Sequence, residues 1–304
     1  MYYSPMRYPG GKNKLAPFIA KICTENDTSH YVEPYSGGAS VAFFLLLEGY
    51  VERITINDRD RSVYALWHAI LNKTNKLIKR IEETEVTVEN WHKQRLIQAN
   101  KKRADLLDLG FSTLFMNRTN RSGIITGGII GGVEQTGEYK ISCRFNKEEI
   151  ISRIRNIKKK RKYITLYKKD ALKLIQRIQE REREPARTLF YFDPPYYQKA
   201  ESLYMNYYLA KDHQEVGQAI KNIQEIPWVV SYDNNPAIRE IYRDFPVKEF
   251  SFKHSAYEVR EGKEILFFSE NLNYPDLENR NPVGFKRKQR GKGIVYKETV
   301  SRAS

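Results

Sequence analysis

Short apolar runs that end at an acidic or amide residue recur along this chain, each followed by a longer amphipathic segment. His30-Tyr31-Val32-Glu33 and Arg53-Ile54-Thr55-Ile56-Asn57 read as strands, with apolar Ala39–Leu47 as a helix between them. Helices are also expected near Leu15–Cys23 and Ser62–Ile70. Strand, turn, helix, strand is the repeating unit of a parallel sheet covered by helices. The pattern returns later. Tyr163–Tyr167 precedes Asp170, Thr188–Phe192 runs straight into Asp193, and Trp228–Tyr232 and Glu264–Ser269 complete the strands, with His213–Ile223 helical. Between the two blocks the character changes: residues 71–109 are charged and helical, and a glycine-rich stretch from Gly123 to Gly137 reads as a long mobile loop or loose hairpin. The expected organisation is an α/β domain in two parts, residues 1–70 and 151–270, interrupted by a mainly helical insert at 71–150 and followed by a basic tail at 271–304.

A chain of 304 residues can bury a sizeable core without disulfides or structural metals. No apolar run approaches the roughly 18 residues of a membrane span, and the N-terminus has no secretory pattern. Cys23 and Cys143 stand in unrelated contexts and the five histidines lack paired ligand spacing, so no metal is expected and a cytoplasmic location is. Charge adds a positive clue. Of a net +15, residues 140–190 carry +11 and residues 284–304 carry +6, leaving the rest slightly acidic. Clustered positive charge suits a polyanion, nucleic acid foremost.

The sharpest chemical signal is Asp193-Pro194-Pro195-Tyr196. An acid at the carboxyl end of a strand lies where open α/β sheets bind ligands. Two successive prolines stiffen the turn and remove two amide donors. The Asp193 carboxylate and the Pro194 carbonyl then form two fixed acceptors beside the flat face of Tyr196. Two acceptors and a stacking face suit an exocyclic amino group on a planar base. Further up the chain, Gly37 and Gly38 precede a helix and allow close backbone approach to a ligand. They do not form the dinucleotide GxGxxG pattern. Asp58 follows Gly37 by 21 residues, where a carboxylate can accept from ribose hydroxyls. Gly11-Lys12 fails as a phosphate loop, because Met6 and Asn13 occupy key positions. Asp170 reads equally as a helix cap.

Five stretches together resemble the Dam-like α group of DNA adenine-N6 methyltransferases, over about residues 5–270. They are Pro5–Lys12, Glu33–Ser40, Asn57-Asp58, Asp170 and Asp193–Tyr196, in that order. The resemblance implies a Rossmann-like S-adenosylmethionine-dependent sheet with an inserted target-recognition domain. It implies methyl transfer from S-adenosylmethionine to adenine N6 at specific sites in double-stranded DNA, in a bacterial or phage restriction-modification setting. Tyr8, Lys12, Glu33, Tyr35, Gly37, Gly38, Asp58, Asp170 and Asp193 would hold the cofactor, and Asp193, Pro194, Pro195 and Tyr196 would act on the base. Asn117, Arg118, Asn120 and Arg121 on the insert carry the groups that read base edges. This stretch departs from the pattern of the enzymes reading GATC, so the recognition sequence stays open. A monomer with a possible partner endonuclease is expected. RNA or cytosine-N4 methylation, and a catalytically silent nucleic-acid-binding module, remain as alternatives.

Overall fold

The computed structural model describes residues 3–7, 12–197, 208–253, 261–276 and 282–284. Tyr8 and most of the basic tail, residues 277–281 and 285–304, lie outside the described residues. A seven-stranded sheet forms the centre, in the order β3-β2-β1-β4-β5-β7-β6. Its strands are β1 (His30–Glu33), β2 (Arg53–Asn57), β3 (Ile164–Tyr167), β4 (Thr188–Phe192), β5 (Trp228–Asp233), β6 (Val247–Lys253) and β7 (Glu261–Phe268). The first five run parallel, and β7 is antiparallel to both β5 and β6. This is the parallel, helix-covered sheet that the sequence pattern predicts, and the Rossmann-like fold that the resemblance implies. It adds β6, a strand without a strong apolar alternation.

Period-two alternation sends the strand side chains to two buried layers. Tyr31, Ile54, Leu189, Tyr191 and Val229 face α1 (Ala16–Glu25), α2 (Ser40–Leu47) and α3 (Arg61–Asn72). Val32, Phe190, Phe192 and Val230 face the other layer. That layer contains α8 (Ala171–Arg181), α9 (Ala210–Lys221) and α10 (Pro236–Ile241). The interrupting segment supplies α4 (Thr74–Glu83), α5 (Val88–Ala99), α6 (Leu106–Thr119) and α7 (Lys147–Lys159). These helices bury Leu77, Trp91, Phe115 and Ile154 in the same cluster as α1–α3, so they thicken one layer and do not build a separate core. The contact between α6 and α3 is close: a Cβ on Gly110 would lie 2.6 Å from the Ala65 carbonyl oxygen.

The end of α6 corrects an expectation. Asn117, Arg118 and Asn120 are not offered to a base edge, because all three are buried. Asn117 Oδ1 accepts from the Arg7 amide at 2.8 Å, and its Nδ2 donates to the carbonyls of Arg7 and Gly123, each at 2.8 Å. Arg118 donates to the Pro5 carbonyl at 2.7 Å. Asn120 accepts from the Trp91 indole and donates to the carbonyls of Ile124 and Ile125. Of the four predicted readers only Arg121 is exposed. The glycine-rich stretch is likewise pinned, by Arg121 N to Gly128 O, by Ile130 N to Thr119 O, and by the Gln135 side chain. A buried amide left without partners costs about 1–3 kcal/mol. Asn117→Ala should therefore lower unfolding stability by about that amount in chemical denaturation, with the preferred DNA sequence unchanged. A variant of native stability with broadened sequence preference would return Asn117 to base readout.

Candidate active site

All the parallel strands end at one edge, and four of the five deliver acids there. Glu33 closes β1, Asp58 follows β2, Asp193 follows β4 and Asp233 closes β5. Strand order reverses between β1 and β4, and the crevice of an open α/β sheet forms at such a reversal. A cavity occupies it here, lined among others by Lys12, Glu33, Gly37, Asp58, Asp193 and Tyr208.

The wall after β1 is a turn that leads into α2. Gly37 has φ +43°, a left-handed conformation that glycine adopts at low cost. Ala39, the residue capping α2, has φ +46° and carries the Cβ strain of that region. Three contacts hold this shape. The Trp67 indole donates to the Gly37 carbonyl at 3.0 Å, the Gly37 amide donates to Asp58 Oδ2 at 3.1 Å, and Asn57 Nδ2 donates to the Pro34 carbonyl at 2.9 Å. Asp58 Oδ1 also accepts from the Asp60 amide at 2.8 Å. Burial pushes the Asp58 carboxyl up to about 7, even though these two amides pull it down. Glu33, which accepts from the Tyr31 hydroxyl and the Ala42 amide, is pushed up to about 8 by burial. Ser36 lines the same cavity, and its hydroxyl oxygen is buried without a hydrogen-bond partner among the described residues.

The opposite wall carries Asp193. Its Oδ1 lies 2.9 Å from Lys12 Nζ and accepts from the Ser231 hydroxyl at 2.9 Å, which itself accepts from Tyr191. No hydrogen bond falls on Oδ2 among the described residues. Lys12 is fully enclosed. Burial alone would lower its pKa, but Asp193, Tyr196 and Glu264 outweigh burial and hold it well above the ordinary value. Its ammonium also donates to the Tyr196 hydroxyl at 2.8 Å, and that hydroxyl donates to Glu264. Tyr196 is consequently turned inward and only 6% exposed, so its ring is not presented as the stacking face that the sequence suggests. The cavity's aromatic lining comes instead from Tyr35, Tyr191 and Tyr208, and the hydroxyls of Tyr35 and Tyr208 share a hydrogen bond of 2.9 Å.

The structure brings together Lys12, Glu33, Tyr35, Gly37, Gly38, Asp58, Asp193 and Pro195 around one cavity. Asp170 stands apart as the cap of α8, accepting from the Leu172 amide at 3.0 Å, while its neighbours Lys169 and Ala171 line the cavity. Sequence reasoning missed Ser231, Asp233 and Glu264. The only signal for Glu264 is an acid at the start of an apolar run.

A carboxyl whose pKa is raised on folding favours the fold while protonated. That contribution is complete below the ordinary carboxylate range and is lost as pH rises through the folded value. Asp58→Asn should therefore flatten the fall in unfolding temperature as pH rises from the ordinary carboxylate range to about 7. An unchanged pH profile would show that Asp58 is ionised in the free protein without cost.

Comparison with known proteins agrees with this geometry. The chain is 23% identical over 208 residues to the type II methyltransferase M.MjaIII of Methanocaldococcus jannaschii, covering 63% of this chain and 68% of the relative. Residues 8–257, from the segment before Lys12 through Asp193 to beyond β6, match the D12 class N6 adenine-specific DNA methyltransferases, and the chain belongs to that family.

Proposed function

We propose that this protein methylates adenine N6 within a particular sequence of duplex DNA, taking the methyl group from S-adenosylmethionine, and that the cavity residues divide the work. Adenine N6 is paired and stacked in a duplex, so the base must swing out to reach a carboxylate recessed at the sheet edge. Asp193 and the Pro194 carbonyl accept the two amino hydrogens. This draws the nitrogen lone pair out of ring conjugation and fixes its direction. The observation that carries the reading is the state of Asp193: a rigid Pro-Pro turn follows it, Lys12 and Ser231 hold its Oδ1, and its Oδ2 remains open to a ligand.

The lining suits the methyl donor on features of this cavity alone. Bound S-adenosylmethionine supplies an electrophilic methyl group on a cationic sulfonium. Two acids, buried Glu33 and half-buried Asp58, suit a positively charged, hydroxyl-bearing ligand, whose cation would favour their ionised forms. The Gly37-Gly38 turn lets backbone approach closely. Catalysis then rests on positioning and fixed charge, without a covalent enzyme intermediate. Tyr8 and Asp170 are proposed cofactor contacts on the family resemblance alone.

Sequence reading falls to outward groups beyond α6. Gly123–Thr126 line the cavity; Arg121 just before them and Tyr139, Lys140 and Arg144 after them are exposed. These can meet bases and phosphates next to the flipped adenine. Kinship with a type II methyltransferase supports a restriction-modification role in the cytoplasm of a bacterium or a phage host.

Asp193→Ala removes one of the two acceptors, so methyl transfer to duplex DNA should fall by about 100-fold or more. DNA affinity should hold, because phosphate contacts dominate it. The assay is labelled-methyl transfer with nucleoside digestion. Label in N6-methyladenine from the wild type, lost in the variant, is expected. Near-normal activity of Asp193→Ala, or label in N4-methylcytosine, would overturn the reading.

A further inference from the structure

The family match ends at residue 257, before a buried acid on the antiparallel strand β7. Glu264 is only 3% exposed. Its Oε1 accepts from the Tyr196 hydroxyl. Its Oε2 lies 3.5 Å from Lys12 Nζ, an ion-pair distance, and takes no hydrogen bond among the described residues. Across the sheet Glu264 is the register partner of Asp233, and Asp233 Oδ1 accepts from the Tyr197 amide at 3.0 Å. Neighbouring carboxylates on β5 and β7 thus grip consecutive residues of the turn that carries Asp193.

Burying a carboxylate is costly, and capping a phenol hydroxyl does not require one; a glutamine would do that without charge. What the charge does is set by Lys12. One ammonium serves two carboxylates, leaving the cluster of Lys12, Asp193 and Glu264 one negative charge in excess. With Glu264 ionised, the field of Lys12 is shared, and Asp193 keeps the acceptor strength that an amino group needs. Without it, Lys12 and Asp193 close into a one-to-one pair and the carboxylate is largely neutralised. Burial raises the pKa of Glu264 and Lys12 counters it, which ties the state of this acid to the same ammonium.

We propose that Glu264 is a positioning residue for methyl transfer, anchoring Lys12 and Tyr196 so that Asp193 is fixed in place yet remains a strong acceptor. The proposal rests on the reading of Asp193 as the amino-group acceptor.

The test is a double-mutant cycle on the full chain, with methyl transfer to duplex DNA followed under single-turnover and steady-state conditions. Glu264→Gln keeps the shape and the bond to Tyr196 and removes the charge. Its kcat should fall roughly 10-fold or more, with KM for DNA and for S-adenosylmethionine within about twofold of wild type. If Glu264 acts through Lys12, the double variant Lys12→Gln/Glu264→Gln should be no slower than Lys12→Gln alone. Thermal denaturation checks that each variant is folded. If Glu264→Gln does not fold, Glu264→Asp replaces it, drawing the charge back by one methylene. A smaller loss of kcat is then expected, again absent in the Lys12→Gln background. Wild-type kcat in the Glu264 variant, or additive losses in the cycle, would overturn the proposal. Asp193→Ala is run alongside. If it is inactive while the Glu264 variant is normal, only this proposal falls. If Asp193→Ala stays active, the reading of the site falls first.

Discussion

A lysine ammonium buried almost completely must find compensating charge inside the protein, and in this fold that need ties the active edge together. Lys12 comes from the N-terminal segment, Asp193 and Tyr196 from the turn after β4, and Glu264 from β7. These segments are distant in sequence and meet only because the sheet order sets β4, β5 and β7 side by side. The Pro-Pro turn restricts where Asp193 can go, and the ion cluster decides which of its oxygens is committed. Removing Lys12 leaves two carboxylates without their shared counter-charge, and a buried charge left unpaired is strongly destabilising in general. The cluster is therefore both a structural lock and the setting of the carboxylate proposed to receive the amino group.

Charge is partitioned between inside and outside. The chain carries a net +15, yet its cavity presents Glu33, Asp58 and Asp193. A basic exterior draws in a phosphate backbone, whereas an acidic interior suits a cationic methyl donor and an amino group. The two needs conflict if mixed on one surface. Burial separates them, and desolvation raises the pKa of both Glu33 and Asp58.

Much of this was legible in the sequence, for physical reasons. Buried parallel strands read as apolar runs, and a run that ends in an acid marks the functional edge, so β1, β2 and β4 and the acids Glu33, Asp58 and Asp193 stand out. The Gly37-Gly38 turn is visible because few other residues tolerate such a backbone. Polar residues mislead where their partners are remote. Asn117 looks like a base reader, but its amide is saturated by backbone 110 positions away in the chain. Tyr196 looks like an open ring until Glu264 claims its hydroxyl. The place of β7 between β5 and β6, which delivers Glu264, depends on antiparallel pairing that no local pattern encodes.

The most direct test of the central claim is a crystal structure of the protein with a duplex containing its target adenine and an unreactive analogue of S-adenosylmethionine. The account predicts an extrahelical adenine whose amino group lies within hydrogen-bond reach, about 2.7–3.2 Å, of both Asp193 and the Pro194 carbonyl, with Lys12 still bridging Asp193 and Glu264. An adenine held elsewhere along the sheet edge, or Lys12 drawn away from both carboxylates in the complex, would contradict it.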